Sequence, residues 1–93
     1  MTKIVRQYEW YFDHQKFGRD LQLWRKTNKL TQQDVADMVQ CHSTAISTFE
    51  TGRYKPDFQY PSMTLFLAIV TAMDNDPRDY WRLQSTHLTY PEF

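Results

Sequence analysis

The side chains able to make or break bonds are few and scattered. His14, His42, His87 and the single Cys41 have no zinc-like spacing, and the adjacent Cys41-His42 pair cannot close a metal site alone. Asp74, Asp76 and Asp79 cluster in sequence, yet no calcium loop surrounds them; helix capping and solvated charge account for them. The sequence holds no recognisable nucleophile motif, phosphate-cradling glycine loop or carboxylate pair. What remains is hydroxyls, amides and charged groups, among them the hydroxyls within residues 30–53. That is hydrogen-bonding and electrostatic chemistry. It points to a binding module without catalytic residues, and no cofactor or metal is expected.

These hydroxyls need elements to hold them, and residues 30–53 (LTQQDVADMVQCHSTAISTFETGR) supply the frame. Thr31, three residues before Asp34, is close to a capping box and opens a helix running to about Val39. Val35, Ala36 and Val39 form its buried side. Residues 40–42 make a tight turn, with Cys41 filling a core position. A second short helix spans about residues 43–51, buries Ala45, Ile46 and Phe49, and stops at Gly52. Upstream, Asp13 caps a helix over about residues 14–28, with Phe17, Leu21 and Trp24 as its apolar stripe and Asn28 as its stop. Downstream, Pro61 fits the first position of a strongly apolar helix to about Met73. Pro77 opens a short fifth helix carrying Tyr80, Trp81 and Leu83. Residues 1–12 (MTKIVRQYEWYF) suit either a strand or a helix, since the run is too short for periodicity to arbitrate. They read as an aromatic arm packed on the domain or as a partner contact. The last ten residues (QSTHLTYPEF) read as a tail.

At 93 residues the chain suits one small domain, and the expected division is an arm (1–13), a helical domain (14–83) and a tail (84–93). Hydrophobic residues make up 41% and charged residues 24%, ordinary values for a soluble protein, while 16% aromatics is high. One cysteine excludes an internal disulfide. No apolar run approaches the roughly 20 residues of a membrane span, and no signal peptide is visible, so a cytoplasmic setting is expected. Formal net charge is zero, but it is segregated. Residues 16–55 carry seven basic and four acidic side chains, a net +3, and the remainder carries −3.

Taken together, these features resemble the Cro and phage-repressor family of helix-turn-helix domains, over about residues 17–81. The resemblance rests on Phe17-Gly18 with Leu21, Trp24 and Arg25, on Leu30-Thr31-Gln32, and on the small Ala36 where two helices cross. Ile46, Glu50 and Gly52, then Arg53-x-Lys55-Pro56, then Thr64-Leu65 and the run to Met73, continue it. It implies an all-α, five-helix lambda-repressor-like fold with an N-terminal aromatic arm and a short C-terminal tail. It also implies an ion pair between Arg25 and Glu50, in which a planar guanidinium clamps a carboxylate and fixes the angle between two helices. By the same resemblance Ser43, Thr44, Ser47 and Thr48 face base edges. Gln32, at the second helix's N-terminus, bonds a DNA phosphate or supports the reading helix, and His42, Thr51, Arg53, Tyr54, Lys55, Lys26 and Lys29 lie toward DNA phosphates. Two departures stand out: Gln40 occupies a turn position where the family uses Gly, and residues 57–60, with Phe58 and Tyr60, are inserted before the fourth helix.

The implied function is sequence-specific binding of double-stranded DNA by a phage-like transcriptional repressor or regulator. It would act as a homodimer on a pseudo-palindromic operator, with dimer contacts from the N-terminal arm or from Tyr80, Trp81, Leu83, Tyr90 and Phe93. The alternative is a protein-binding helix-turn-helix module, such as an antitoxin or an inhibitor of another regulator. Neutral net charge and an uncharged reading helix favour that alternative. Ser and Thr cannot make the bidentate grips of Arg on guanine or Gln on adenine, each worth about 1–3 kcal/mol. Direct base readout is therefore thin, and water bridges or DNA shape must supplement it.

Overall fold

The computed structural model describes residues 2–55 and 61–91, with side chains for residues 8–55 and 61–85. Phe58, Tyr60 and Phe93, and the side chain of Tyr90, lie outside this description. The order of elements is β1 (Thr2–Phe12), α1 (His14–Thr27), α2 (Gln32–Val39), α3 (Ser43–Thr51), α4 (Met63–Ala72), a 3-10 turn (Pro77–Tyr80) and β2 (Trp81–Pro91). Among the described residues no helix is long and apolar enough to cross a membrane.

Local chemistry sets most boundaries. The Asp13 carboxylate accepts the Lys16 amide and caps α1. Burial pushes this carboxyl up, but the Lys16 amide and the Arg82 guanidinium outweigh that and hold it below its usual value. Thr31 and Asp34 complete a reciprocal capping box at the start of α2, each side chain taking the other's backbone N–H at 2.8 and 3.0 Å. Gln40 ends α2 in the left-handed region, at φ 59°, and Gly52 ends α3 at φ 70°. At the end of α1 the left-handed residue is Lys29 (φ 56°), while Asn28 stays right-handed and bonds back to the Trp24 carbonyl. Pro61 is not the first residue of α4. It lies buried before the cap Ser62, so α4 starts at Met63.

The expected all-α, five-helix domain is corrected by the chain ends. The fifth helix is only the four-residue 3-10 turn, capped by Asp76. Trp81 then turns extended, and β2 pairs antiparallel with β1 from Phe12↔Trp81 out to Thr2↔Pro91. Arm and tail are thus two halves of one ribbon. The run of Tyr, Trp, Val and Ile in β1 suits a pleated surface, and pairing with a distant segment settles the strand–helix ambiguity. The Asp13 amide donating to the Tyr80 carbonyl and Arg82 pairing with Asp13 at 3.0 Å fasten the ribbon's base to α1. The ribbon draws the molecule out to 61 Å along its longest axis, against 25 and 19 Å across.

One core joins the helices to the ribbon base. Phe12, Phe17, Phe49, Phe66 and Tyr80 meet at ring-centroid distances of 5.4–6.1 Å, with Leu21, Val35, Ala36, Ile46, Ile69 and Val70 filling around them. Gly18 permits the crossing of α1 on α3. A methyl group there would collide with the Phe49 carbonyl oxygen. Tyr80 donates to Asp20 at 2.8 Å and accepts from Asn75 at 2.9 Å; burial, aided by the Asp20 carboxylate, pushes its hydroxyl up to about 12.

Candidate nucleic-acid interface

The α2–turn–α3 unit is built around one buried carboxylate. Glu50, near the end of α3, has a side chain closed to solvent. It accepts from Arg25 Nε at 2.7 Å and Arg25 Nη2 at 2.9 Å. Arg25 Nη1 also donates to the Leu30 carbonyl at 3.0 Å, and Gln32 Nε2 donates to Glu50 Oε1 at 3.3 Å. The end of α1, the entry to α2 and the end of α3 therefore converge on a single network. The Glu50 carboxylate holds the Arg25 guanidinium above its ordinary pKa against the opposing effect of burial. Gln32 spends one of its two amide N–H groups on this network, so its side chain helps to place α3.

Fixing α3 this way decides which side it shows. Ile46 and Phe49 enter the core, and Ala45 packs beside them. Away from that side Thr44 and Thr51 are exposed, while Ser43, Ser47 and Thr48 are half-buried along the flanks of the helix. Two of these hydroxyls point back into their own helix: Thr48 donates to the Thr44 carbonyl and Thr51 to the Ser47 carbonyl, both at 2.8 Å. Each then offers a ligand a methyl group and free lone pairs, while its proton is already used. His42 precedes α3 as an exposed N-cap without a side-chain cap bond.

The residues assigned to phosphates divide. Lys26, Lys29, Arg53 and Lys55 are exposed. Tyr54 is a correction, because its hydroxyl is buried and its ring packs against His14 and Phe49 at centroid distances of 5.3 and 6.3 Å. Burial pushes that hydroxyl up to about 12, and the ring belongs to the packing on α1 and α3. The capping box also places the Asp34 carboxylate at the N-terminus of α2, where it already takes the Thr31 amide and holds negative charge beside the free N–H groups. Among the described residues no three His, Cys, Asp or Glu side chains gather to hold a metal ion. Cys41 is half-buried in the turn, and burial pushes its thiol pKa up.

Sequence reasoning missed Gly18 as the close-crossing residue, although a glycine inside an apolar helix stripe was the available signal. It also missed the ribbon and the apolar groove at its base, which depend on pairing between chain ends.

The sequence matches the family model described as "Helix-turn-helix domain" over residues 16–79, and the chain belongs to that family. Its fold is similar to the restriction-modification controller protein C.AhdI from Aeromonas hydrophila. That likeness has 27% identity and a TM-score of 0.57, and covers 72% of this chain and 94% of that one. It is also similar in fold to the clp gene regulator ClgR from Corynebacterium glutamicum. Here identity is 20% and the TM-score 0.56, with coverage of 71% of this chain and 65% of that one. No curated protein sequence matches it.

Proposed function

We propose that the chain is a sequence-specific DNA-binding transcription regulator, acting as a phage-like repressor. The observation that carries this reading is the Arg25–Glu50–Gln32 network, which fixes α3; Ser43, Thr44, Ser47 and Thr48 on that helix would meet base edges. A helix so held enters the major groove as a unit. Exposed Lys26, Lys29, Arg53 and Lys55 flank it as phosphate contacts. The likeness to a controller protein and a gene regulator supports the same class. A homodimer would read a pseudo-palindromic operator with half-sites about one helical turn apart, in a cytoplasmic setting.

The test is binding to random duplex DNA across a salt series. Four cations per protomer give about eight phosphate contacts per dimer, hence a log–log slope of about −7. Affinity falls roughly ten-thousand-fold between 50 and 200 mM salt. No binding at low salt removes the DNA reading. A second reading, a protein-binding module such as an antitoxin, is favoured by the zero net charge and the uncharged α3 face, and it predicts that outcome.

A further inference from the structure

One face of the ribbon is apolar well past the point where the protein's own helices cover it. Alternation and register put Phe12 and Trp81, Trp10 and Leu83, and Tyr8 and Ser85 on the same face. The face begins in the core, where Phe12 is buried, and runs outward to Trp10, Leu83 and Tyr8, which are 62%, 57% and 58% exposed. At its base it meets α4 across a groove of about 700 Å³ between Trp10, Trp81, Met63 and Leu67, floored by Phe66. Met63 and Leu67 are themselves 53% and 42% exposed. The charged lining residue, Arg78, is paired with its own Asp76 at 2.7 Å.

We infer that this strip and groove form the surface on which a second copy of the chain docks, ribbon against ribbon. The inference rests on the homodimer reading above and specifies its interface. Three observations select the occupant. The five exposed side chains leave roughly 500 Å² uncovered, taking about 150–250 Å² for a full aromatic side chain. That is most of the roughly 800 Å² per partner of a standard interface, with the remainder left for a polar rim. A two-stranded ribbon is marginal until a third strand or a packed layer covers it. The apolar part of the face, from Phe12 to Tyr8, spans about 15 Å along the strand, so the cover is a strip of similar length. A second copy supplies that strip, and a twofold axis lets each apolar face close the other's groove. Between Phe12 and Tyr8 the patch holds no charged side chain except the paired Arg78, and two chains of zero net charge approach without net repulsion. Nucleic acid, which needs cations, does not fit this surface.

The experiment is sedimentation equilibrium on the full chain without DNA, for wild type and for Leu83→Glu, Leu67→Glu and Leu23→Glu. Leu23 lies exposed on α1, away from the patch. All three positions are exposed, and an unchanged circular dichroism spectrum confirms folding. Wild type dimerises in the micromolar range; Leu83→Glu and Leu67→Glu weaken dimerisation at least 100-fold, and Leu23→Glu leaves it unchanged. A wild-type monomer at 100 µM overturns the interface and the homodimer reading together, leaving the patch for another protein. A dimer that both patch variants leave intact overturns only the interface.

Discussion

Removing Arg25 isolates the sharpest physical claim made for the helix-turn-helix. In Arg25→Ala the Glu50 carboxylate remains closed to solvent and keeps only the 3.3 Å contact from Gln32, while the Leu30 carbonyl loses its guanidinium donor. Breaking a buried pair from one side costs about 3–5 kcal/mol, because a charge is left without compensation. A domain of this size has about 5–10 kcal/mol in total, so the loss lowers the melting temperature by roughly 20 °C. Replacing both partners with apolar residues, Arg25→Met with Glu50→Leu, removes the charge along with its counter-charge and recovers a large part of the loss. Urea unfolding followed by helical circular dichroism measures all the corners of the cycle. The expected coupling between the two sites is about 2 kcal/mol or more. Additive effects, or a cost below about 1 kcal/mol for Arg25→Ala, would show that the network is a surface ornament and refute the account of how α3 is held.

Further substitutions test the backbone and the reading face. Gln40→Gly relieves the left-handed strain at φ 59° and, after the added freedom of the unfolded chain, stabilises by about 0.5 kcal/mol in thermal melts; a lower melting temperature contradicts this. Gly18→Ala destabilises by about 2 kcal/mol despite alanine's better helix propensity, through its clash with the Phe49 carbonyl, whereas a gain of about 1 kcal/mol would mean that the crossing is loose. Thr48→Val keeps operator affinity within about threefold while Thr48→Ser loses more, since the hydroxyl proton is already used on Thr44 and the methyl group is what remains to meet a thymine; the reverse order in a binding titration defeats the proposal. Asp13, Asp34 and Asp76 are depressed below their ordinary values, Asp76 to about 2 by the Arg78 guanidinium. Their contribution is fully present above about pH 4, where the unfolded chain is also ionised, and drains as pH falls toward 2; urea midpoints that stay flat across that window contradict it.

How much of the molecule was legible in advance depends on how far apart the interacting residues lie. The caps at Asp13, Thr31 and Gly52 and the apolar sides of α1, α2 and α3 follow from residues three or four positions apart. The unusual backbone at Gln40 was visible as a side chain where the turn wants glycine. Pro61 was misplaced by two residues: a proline before a helix marks its neighbourhood but fits either side of the N-cap. Tyr54 looked like a phosphate contact because it sits between Arg53 and Lys55; only the position of Phe49 and His14 shows that its ring packs inward.

The sequence by itself determined the helix-turn-helix frame, because helix periodicity, capping and the spacing of a few core residues are local. It also determined that, Glu50 apart, α3 carries hydroxyls and no charge. Tertiary structure alone decided that arm and tail make one ribbon. The strand signal in residues 1–12 was ambiguous and that in residues 81–91 weak, and each strand's backbone groups pair with the other's, some seventy to ninety residues away. Tertiary structure alone also decided which hydroxyl protons are already used within α3. A threonine's choice between a ligand and the carbonyl one turn back depends on its rotamer, and residue type does not record it.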